Sequence, residues 1–277
     1  MSDVFNGSSL NSELFANLVT QAQYAAYEQS IARQLVTVFD APVNSGKVLQ
    51  VPVWSGVTAD LITDETTAVR KGTNTTSASI TLAEHVVYHS ITDMLRDSSY
   101  SDVFAQIGDQ SGRAIAQSID TQVFANFAGL SGSGDAAIAS LTVADIFDKV
   151  AILRANKLTG PFYCVVHPAA AVKLKKALTA TTSFQNATAI GSEVLSGFYI
   201  GTIAGCQVFE SSLVPVASGT ATGAVFTVGA LGHAMRGGID MNTLYLPAAR
   251  ATDVVLKAVA GSAVLQAGFG VALNTSI

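Results

Sequence analysis

The side chains best suited to metal or nucleophile chemistry in this sequence are four histidines and two cysteines, and their surroundings argue against both uses. His85 and His89 are four apart, the spacing of a zinc pair on a helix. They sit, however, in the strand-like run HVVYH, where that spacing separates them by roughly 13 Å, too far to share one metal. Surface or interface positions are expected for both. His167 and His233 stand alone among apolar neighbours, with no third ligand in sequence reach. Cys164 and Cys206 each lie in an apolar strand-like run, which predicts reduced thiols in a core. No G-x-S-x-G elbow is present, and neither cysteine sits in a nucleophile signature. NSGKV is not a phosphate loop: Ala41 stands where the first Gly is required, and Val48 where Ser or Thr is. GLSGSG follows a helical pattern instead of a strand, so it reads as a flexible connector and not as a dinucleotide fingerprint. No catalytic residue, metal ligand or cofactor site is assigned.

Composition points the same way. Charged residues make up only 13% of the 277, about half the usual share of roughly 25%, so ionised surface is scarce. The net charge of −5 argues against a domain built to grip phosphates, which needs clustered Lys and Arg. Mean hydropathy is +0.40. Yet the least charged stretch, from Ala177 to Met235, is broken throughout by Gly, Ser, Thr, Gln and Asn and by Pro215. No window offers the roughly 20 apolar residues of a membrane helix. Low charge then implies surface that a partner protein covers. The first residues, MSDVFNGSSLNSELF, lack the basic and apolar segments of a secretory signal.

The elements follow from periodicity. Leu14, Phe15, Leu18, Ala22, Ala25 and Ala26 predict a helix within Asn11 to Leu35. KVLQVPVW predicts a strand that Pro52 restricts to an edge. ASITLAEHVVYHSIT predicts another, from Ile80 to Ile91. The connector between them is Thr-rich and far longer than the roughly 2–5 residues of a hairpin. Asp60, Asp64 and Glu65 precede Arg70 and Lys71 there, which suggests a loop pinned by something outside its own core. From Ser101, the expected N-cap, to Phe127 the apolar residues step by three and four, predicting one helix of roughly 40 Å. GLSGSGD ends it and marks the best domain boundary. Thr142 and Asp145 then form a capping-box start, with Val143, Ile146, Phe147, Val150 and Leu153 as the apolar face. FYCVV predicts a strand, and His167-Pro168 the start of another helix. Strands are expected around FYIG, GCQVFE, AVFTVG, TLYLP, DVVLKAV and SAVLQAGFGVAL, an α+β class overall.

This ordered set resembles the tailed-bacteriophage major capsid proteins of the Hong Kong 97 fold. KVLQVPVW through ASITLAEHVVYHSIT looks like that family's extended E-loop, and SDVFAQIGDQSGRAIAQSIDTQVFANF like the spine helix of its P-domain. FYCVVHPAAAVKLKKAL and GFYIGTIAGCQVFESSLVP are similar to its A-domain segments, and TDVVLKAVAGSAVLQAGFGVAL to its closing strands. The resemblance implies an N-terminal arm over 1–46, an E-loop over 47–92 and a P-domain with the spine helix over 93–135. An A-domain over 136–235, closing P-domain strands over 236–268 and a return to the A-domain over 269–277 complete it. It implies a non-enzymatic head protein that self-assembles into hexamers and pentamers of an icosahedral shell around double-stranded DNA, held without sequence-specific contacts and without a membrane. Trp54, Asp60, Asp64, Glu65, Arg70 and Lys71 would be inter-subunit contacts in the E-loop. A scaffolding protein, a portal and a decoration protein are the further partners implied, with assembly in the host cytoplasm and residence in the virion capsid. The Lys–Asn cross-link of part of the family is not carried over, because Lys71 has no identified Asn partner or assisting acid. An encapsulin-like compartment shell, and an α+β enzyme or ligand-binding protein, are the alternatives.

Overall fold

The computed structural model describes residues 30–44, 46–54, 56–57, 59–62, 69–98, 103–180 and 199–277. Most of the predicted N-terminal helix, the proposed cap Ser101, and Asp64 and Glu65 lie outside these residues. The described chain begins with a short helix α1 (Ala32–Leu35) and strand β1 (Thr37–Asp40), followed by β2 (Val48–Trp54), β3 (Thr75–Thr81) and β4 (Ala83–Thr92). Helices α2 (Asp93–Ser98) and α3 (Val103–Ala125) come next, then α4 (Val143–Ala155), β5 (Phe162–Val166) and α5 (Pro168–Ala180). The remainder is β6 (Tyr199–Ile203), β7 (Cys206–Glu210), β8 (Val216–Ala217), β9 (Thr220–Thr227), β10 (Leu231–Leu246), β11 (Ala251–Val264) and β12 (Gly270–Ser276).

Two main sheets organise these elements. One runs β1-β10-β11-β4, and α3 lies on one of its faces. Ile115 and Ile119 of α3 are buried there against Ile91, Ile239, Val254, Leu256, Ala258 and Ala260. The alternation Val254, Leu256, Ala258, Ala260 is the period-two signature of a strand with one covered face. The other sheet runs β12-β9-β5-β7-β6, with β8 alongside β9. In β5, Cys164 and Val166 face α4 and α5, while Val165 faces the opposite core with Phe127 and Phe226. Phe127 stacks at 5.3 Å from Phe124 and 5.5 Å from Phe226, which fastens the end of α3 to the second sheet. Both cysteines are buried and free, as expected for core positions.

Local signals did what their chemistry allows. The Thr142 backbone N–H donates to Asp145 at 2.8 Å while the Asp145 N–H donates to Thr142 Oγ1 at 3.4 Å, a complete capping box for α4. His167 accepts from the Ala169 N–H through Nδ1 at 3.2 Å, and so caps α5. Between β6 and β7 the chain turns on Ala204 and Gly205, both at positive φ, as a two-residue hairpin requires.

Four expectations need correction. The run Ile80–Ile91 is two strands in different sheets: β3 pairs with β2, and β4 with β11. Ile80 and Leu82 still share one buried cluster, so the alternation continues through the switch and hides it. The strand expected around TLYLP starts at Leu231 and bends at an irregularity between Arg236 and Asp240, where burial loses its period. Phe147 is 53% exposed, because the buried stripe of α4 narrows to Ile146, Val150 and Leu153. The Gly/Ser connector is tied along β12: Ala272 N–H donates to the Ser131 carbonyl at 2.8 Å, and Asn274 Nδ2 to the Ser133 and Asp135 carbonyls at 2.9 Å.

An unpredicted clasp joins α1 to α3. Buried Asp120 accepts from Ser30 Oγ at 2.7 Å and from the Ile31 and Ala32 N–H groups at 3.0 and 3.4 Å, so a carboxylate on one helix caps another. Burial raises the Asp120 carboxyl above its ordinary range, opposed by those three hydrogen bonds and by the Arg33 charge. Asp120→Ala leaves the donors unpaired and is expected to destabilise by about 2–4 kcal/mol, read by denaturant unfolding. Asp120→Asn retains one acceptor and is expected to cost about half as much.

Candidate assembly surface

The hairpin β2–β3 leaves the body of the molecule in register Val48↔Thr81 to Trp54↔Thr75. Only its root is packed: Leu49 and Val51 lie against Ile80, Leu82 and Ala234. Farther out it is a two-stranded ribbon, so Pro52 has a free edge on which its missing N–H costs nothing. Beyond it, Trp54, Val57, Leu61, Ile62 and Val69 are all exposed, Leu61 at 99% and Trp54 at 66%. An isolated ribbon is at best marginally stable in water, and an apolar tip on it is a surface awaiting cover.

The charges of this loop behave differently from the expectation. Lys71 forms an ion pair with Asp60, so these opposite charges meet within the loop and close its two limbs. An exposed pair of this kind contributes about 0–1 kcal/mol, enough to bias the shape of a loop but not to hold a neighbour. Arg70 is exposed on the same loop. The large side chains exposed on the described part of the loop are thus mainly apolar. Trp54 was singled out in the sequence, whereas Val57, Leu61, Ile62 and Val69 were not; they stand out there only as large apolar residues in a Thr-rich connector that fit no helix or strand period.

A second exposed surface lies on the four-stranded sheet, opposite α3. Val86, Tyr88 and Leu244 are exposed on that face, with Val255 between them. Tyr88 hydrogen-bonds Asp253, and that bond, ahead of burial and the Asp253 charge, raises the phenol above its ordinary range. The face opposite carries polar contacts that the sequence did not foretell. His85 and His89 are half-buried against α3, not on open surface. His85 Nδ1 lies 2.7 Å from Ser118 Oγ and Nε2 3.3 Å from Gln122 Oε1, and His89 Nε2 lies 3.1 Å from Ser111 Oγ. The sheet face that points to the helix turns both side chains inward, as alternation in β4 demands.

Among the described residues no three His, Cys, Asp or Glu side chains converge on a metal-sized site, and no helix is long and apolar enough to cross a membrane. The exposed apolar faces can hold other protein surface. The sequence model of the phage capsid protein family matches residues 75–271. The chain belongs to that family. A search of curated protein sequences finds no match for this capsid protein. Solved structures do match it along most of its length. The capsid structure of cyanophage P-SCSP1u has 18% identity and a TM-score of 0.66, over 87% of this chain and 86% of that one. The acidic stable capsid structure of Helicobacter pylori bacteriophage KHP30 has 11% identity and a TM-score of 0.70, over 90% and 91%. The virus-like particle from Pyrococcus furiosus has 13% identity and a TM-score of 0.60, over 92% and 97%. At such identities the likeness is one of fold, and the capsid protein is Hong Kong 97-like in architecture. It is a structural capsid protein.

Proposed function

We propose that this protein assembles with copies of itself into hexameric and pentameric capsomers of an icosahedral shell that encloses phage double-stranded DNA. The observation that carries this reading is the projecting hairpin, whose apolar tip, Leu61 above all, is uncovered in a single copy. In this reading residues 47–92 form the E-loop, α3 the spine of a P-domain, and the sheet containing β5 the A-domain. The tip lies across a neighbouring copy and buries Trp54 and Leu61 there. The Asp60–Lys71 pair sets the loop shape, and Arg70 adds rim contacts, as Asp64 and Glu65 do in the sequence reading. Each buried tip side chain contributes about 1.5–3 kcal/mol, and repetition over a closed lattice multiplies weak contacts into a stable shell. A net charge of −5 suits a container that must not grip the packaged polyanion. A separate scaffolding protein and a portal are the partners that such assembly needs.

The likeness to a virus-like particle favours a second reading, a compartment shell around protein cargo. Negative-stain microscopy with size-exclusion light scattering on the purified protein tests the first reading. Hollow shells or capsomer rings are expected, and nuclease-protected DNA in particles from infected cells separates a phage head from a cargo compartment. A discrete small oligomer under every condition overturns both.

A further inference from the structure

The seam between α3 and the four-stranded sheet holds an unusual concentration of titratable groups. His233, on β10, is fully buried, and neither ring nitrogen has a hydrogen-bond partner. Native interiors rarely leave both nitrogens of a ring unpaired, so the position calls for a physical account. Its register partners are Val38 on β1 and Ser262 on β11. Ser262 Oγ donates to the Gln122 carbonyl at 3.0 Å and accepts from Asn126 Nδ2 at 2.8 Å, which places His233 in the same helix–sheet seam as His85. The charged groups around it come from α1, α3, β1 and β4. Arg33 arrives from α1 and His85 from β4, both acting on the ring electrostatically. Asp120 comes from α3, where it answers to Arg33, and Asp40 sits at the exposed end of β1.

We propose that this seam is an acid-opened joint, and that proton uptake by His233 is the event that loosens α3 and α1 from the sheet. A neutral imidazole fits this buried position; an imidazolium would sit there beside the positive Arg33, with only the Gly261 backbone to answer its charge. His85 differs, because Ser118 Oγ and Gln122 Oε1 can both accept from it. Its ring acts on His233 electrostatically, in the same direction as Arg33. Asp120, raised by burial, surrenders its charge earlier on acidification than an exposed carboxylate does, which removes a counter-charge as the cations gather.

The sign follows from burial. Desolvation first, then Arg33 and His85, lower His233 to about 4 from its ordinary 6.5, with the Gly261 backbone opposing. Above the ordinary value both closed and open forms carry a neutral ring, and pH has no effect through this group. Between there and about 4 the open form binds a proton that the closed form refuses. Each pH step then favours opening tenfold, roughly 300-fold over the whole window. The inference concerns a single copy and stands apart from the shell reading.

Hydrogen exchange of the full chain at pH 7 and pH 5, corrected for intrinsic exchange, tests it. Protection of α3 is expected to fall roughly 30-fold at the lower pH while α4 and α5 keep theirs, and His233→Leu is expected to remove the difference. Unchanged α3 protection in the natural chain, or an undiminished fall in His233→Leu, overturns the proposal. Should His233→Leu not fold, exchange of the imidazole C2 hydrogen in the natural chain, read residue by residue by mass spectrometry, decides. A His233 midpoint near 4 supports the joint, and one near 6.5 overturns it.

Discussion

Leu61→Asp is expected to leave the chain folded and to abolish shell formation. The side chain is 99% exposed in its own copy, so the substitution should change the unfolding free energy by no more than about 0.5 kcal/mol. In the proposed contact the same change removes a buried leucine and places a carboxylate in its stead. The loss is about 3 kcal/mol per contact, more than a hundredfold in affinity, before the lattice multiplies it. Light scattering against protein concentration reads the effect, with far-ultraviolet circular dichroism as the check on folding. Trp54→Ala should act in the same direction. Leu61→Met, which keeps volume and apolarity, should assemble normally. Assembly of Leu61→Asp at the natural concentration would show that the tip of the hairpin is not the adhesive element.

The second large effect is expected at Gly261. A Cβ there would lie 2.2 Å from the Thr81 carbonyl oxygen and 3.1 Å from Leu82 Cα, at the place where the chain passes from β3 to β4 across β11. These are backbone atoms, held by the pairing of β4 with β11 and of β3 with β2, and they cannot step aside as a flexible side chain can. Gly261→Val is expected to destabilise by about 3 kcal/mol or more, lowering the thermal midpoint by roughly 6–12 °C. Gly268, with nothing within 4 Å of the corresponding position, is the control, and Gly268→Ala should be close to neutral. Any Gly261 variant that folds should also aim its hairpin differently, so its assembly should fail more severely than its stability loss alone dictates.

Local chemistry was the legible part of this fold. The Thr142–Asp145 box, Pro168 at the head of α5 and the three-and-four stepping in α3 each report on neighbours within a turn, and spacing encodes such neighbours directly. Edge placement of the strand containing Pro52 was legible for the same reason. The break at Leu82 was not, because an alternating pattern looks the same whether a strand stays in one sheet or changes to another. Nor was the clasp at Asp120, whose partners lie 88–90 positions away. His233 looked like an isolated residue, and only the folding of α1 and β4 around it brings Arg33 and His85 near. At the candidate surface Trp54 and the charges attracted notice for their type, while Val57, Leu61, Ile62 and Val69 went unremarked because they belong to no periodic element. A loop residue with no fold partner leaves no trace in periodicity, and absence of period in large apolar residues is itself the sign to seek.

Strand β11 pairs with both β10 and β4, and β12 pairs with β9 and anchors the Gly/Ser stretch after α3. These two strands leave the ribosome after every other described strand, yet without them β4 has no partner and the second sheet lacks a margin. A nascent polypeptide therefore cannot settle its two halves early, and a prematurely terminated product should be degraded before it reaches a growing particle. In a structure built from many identical copies, one defective unit spoils its neighbours, and a keystone that emerges after the other described strands makes its own synthesis a condition of incorporation.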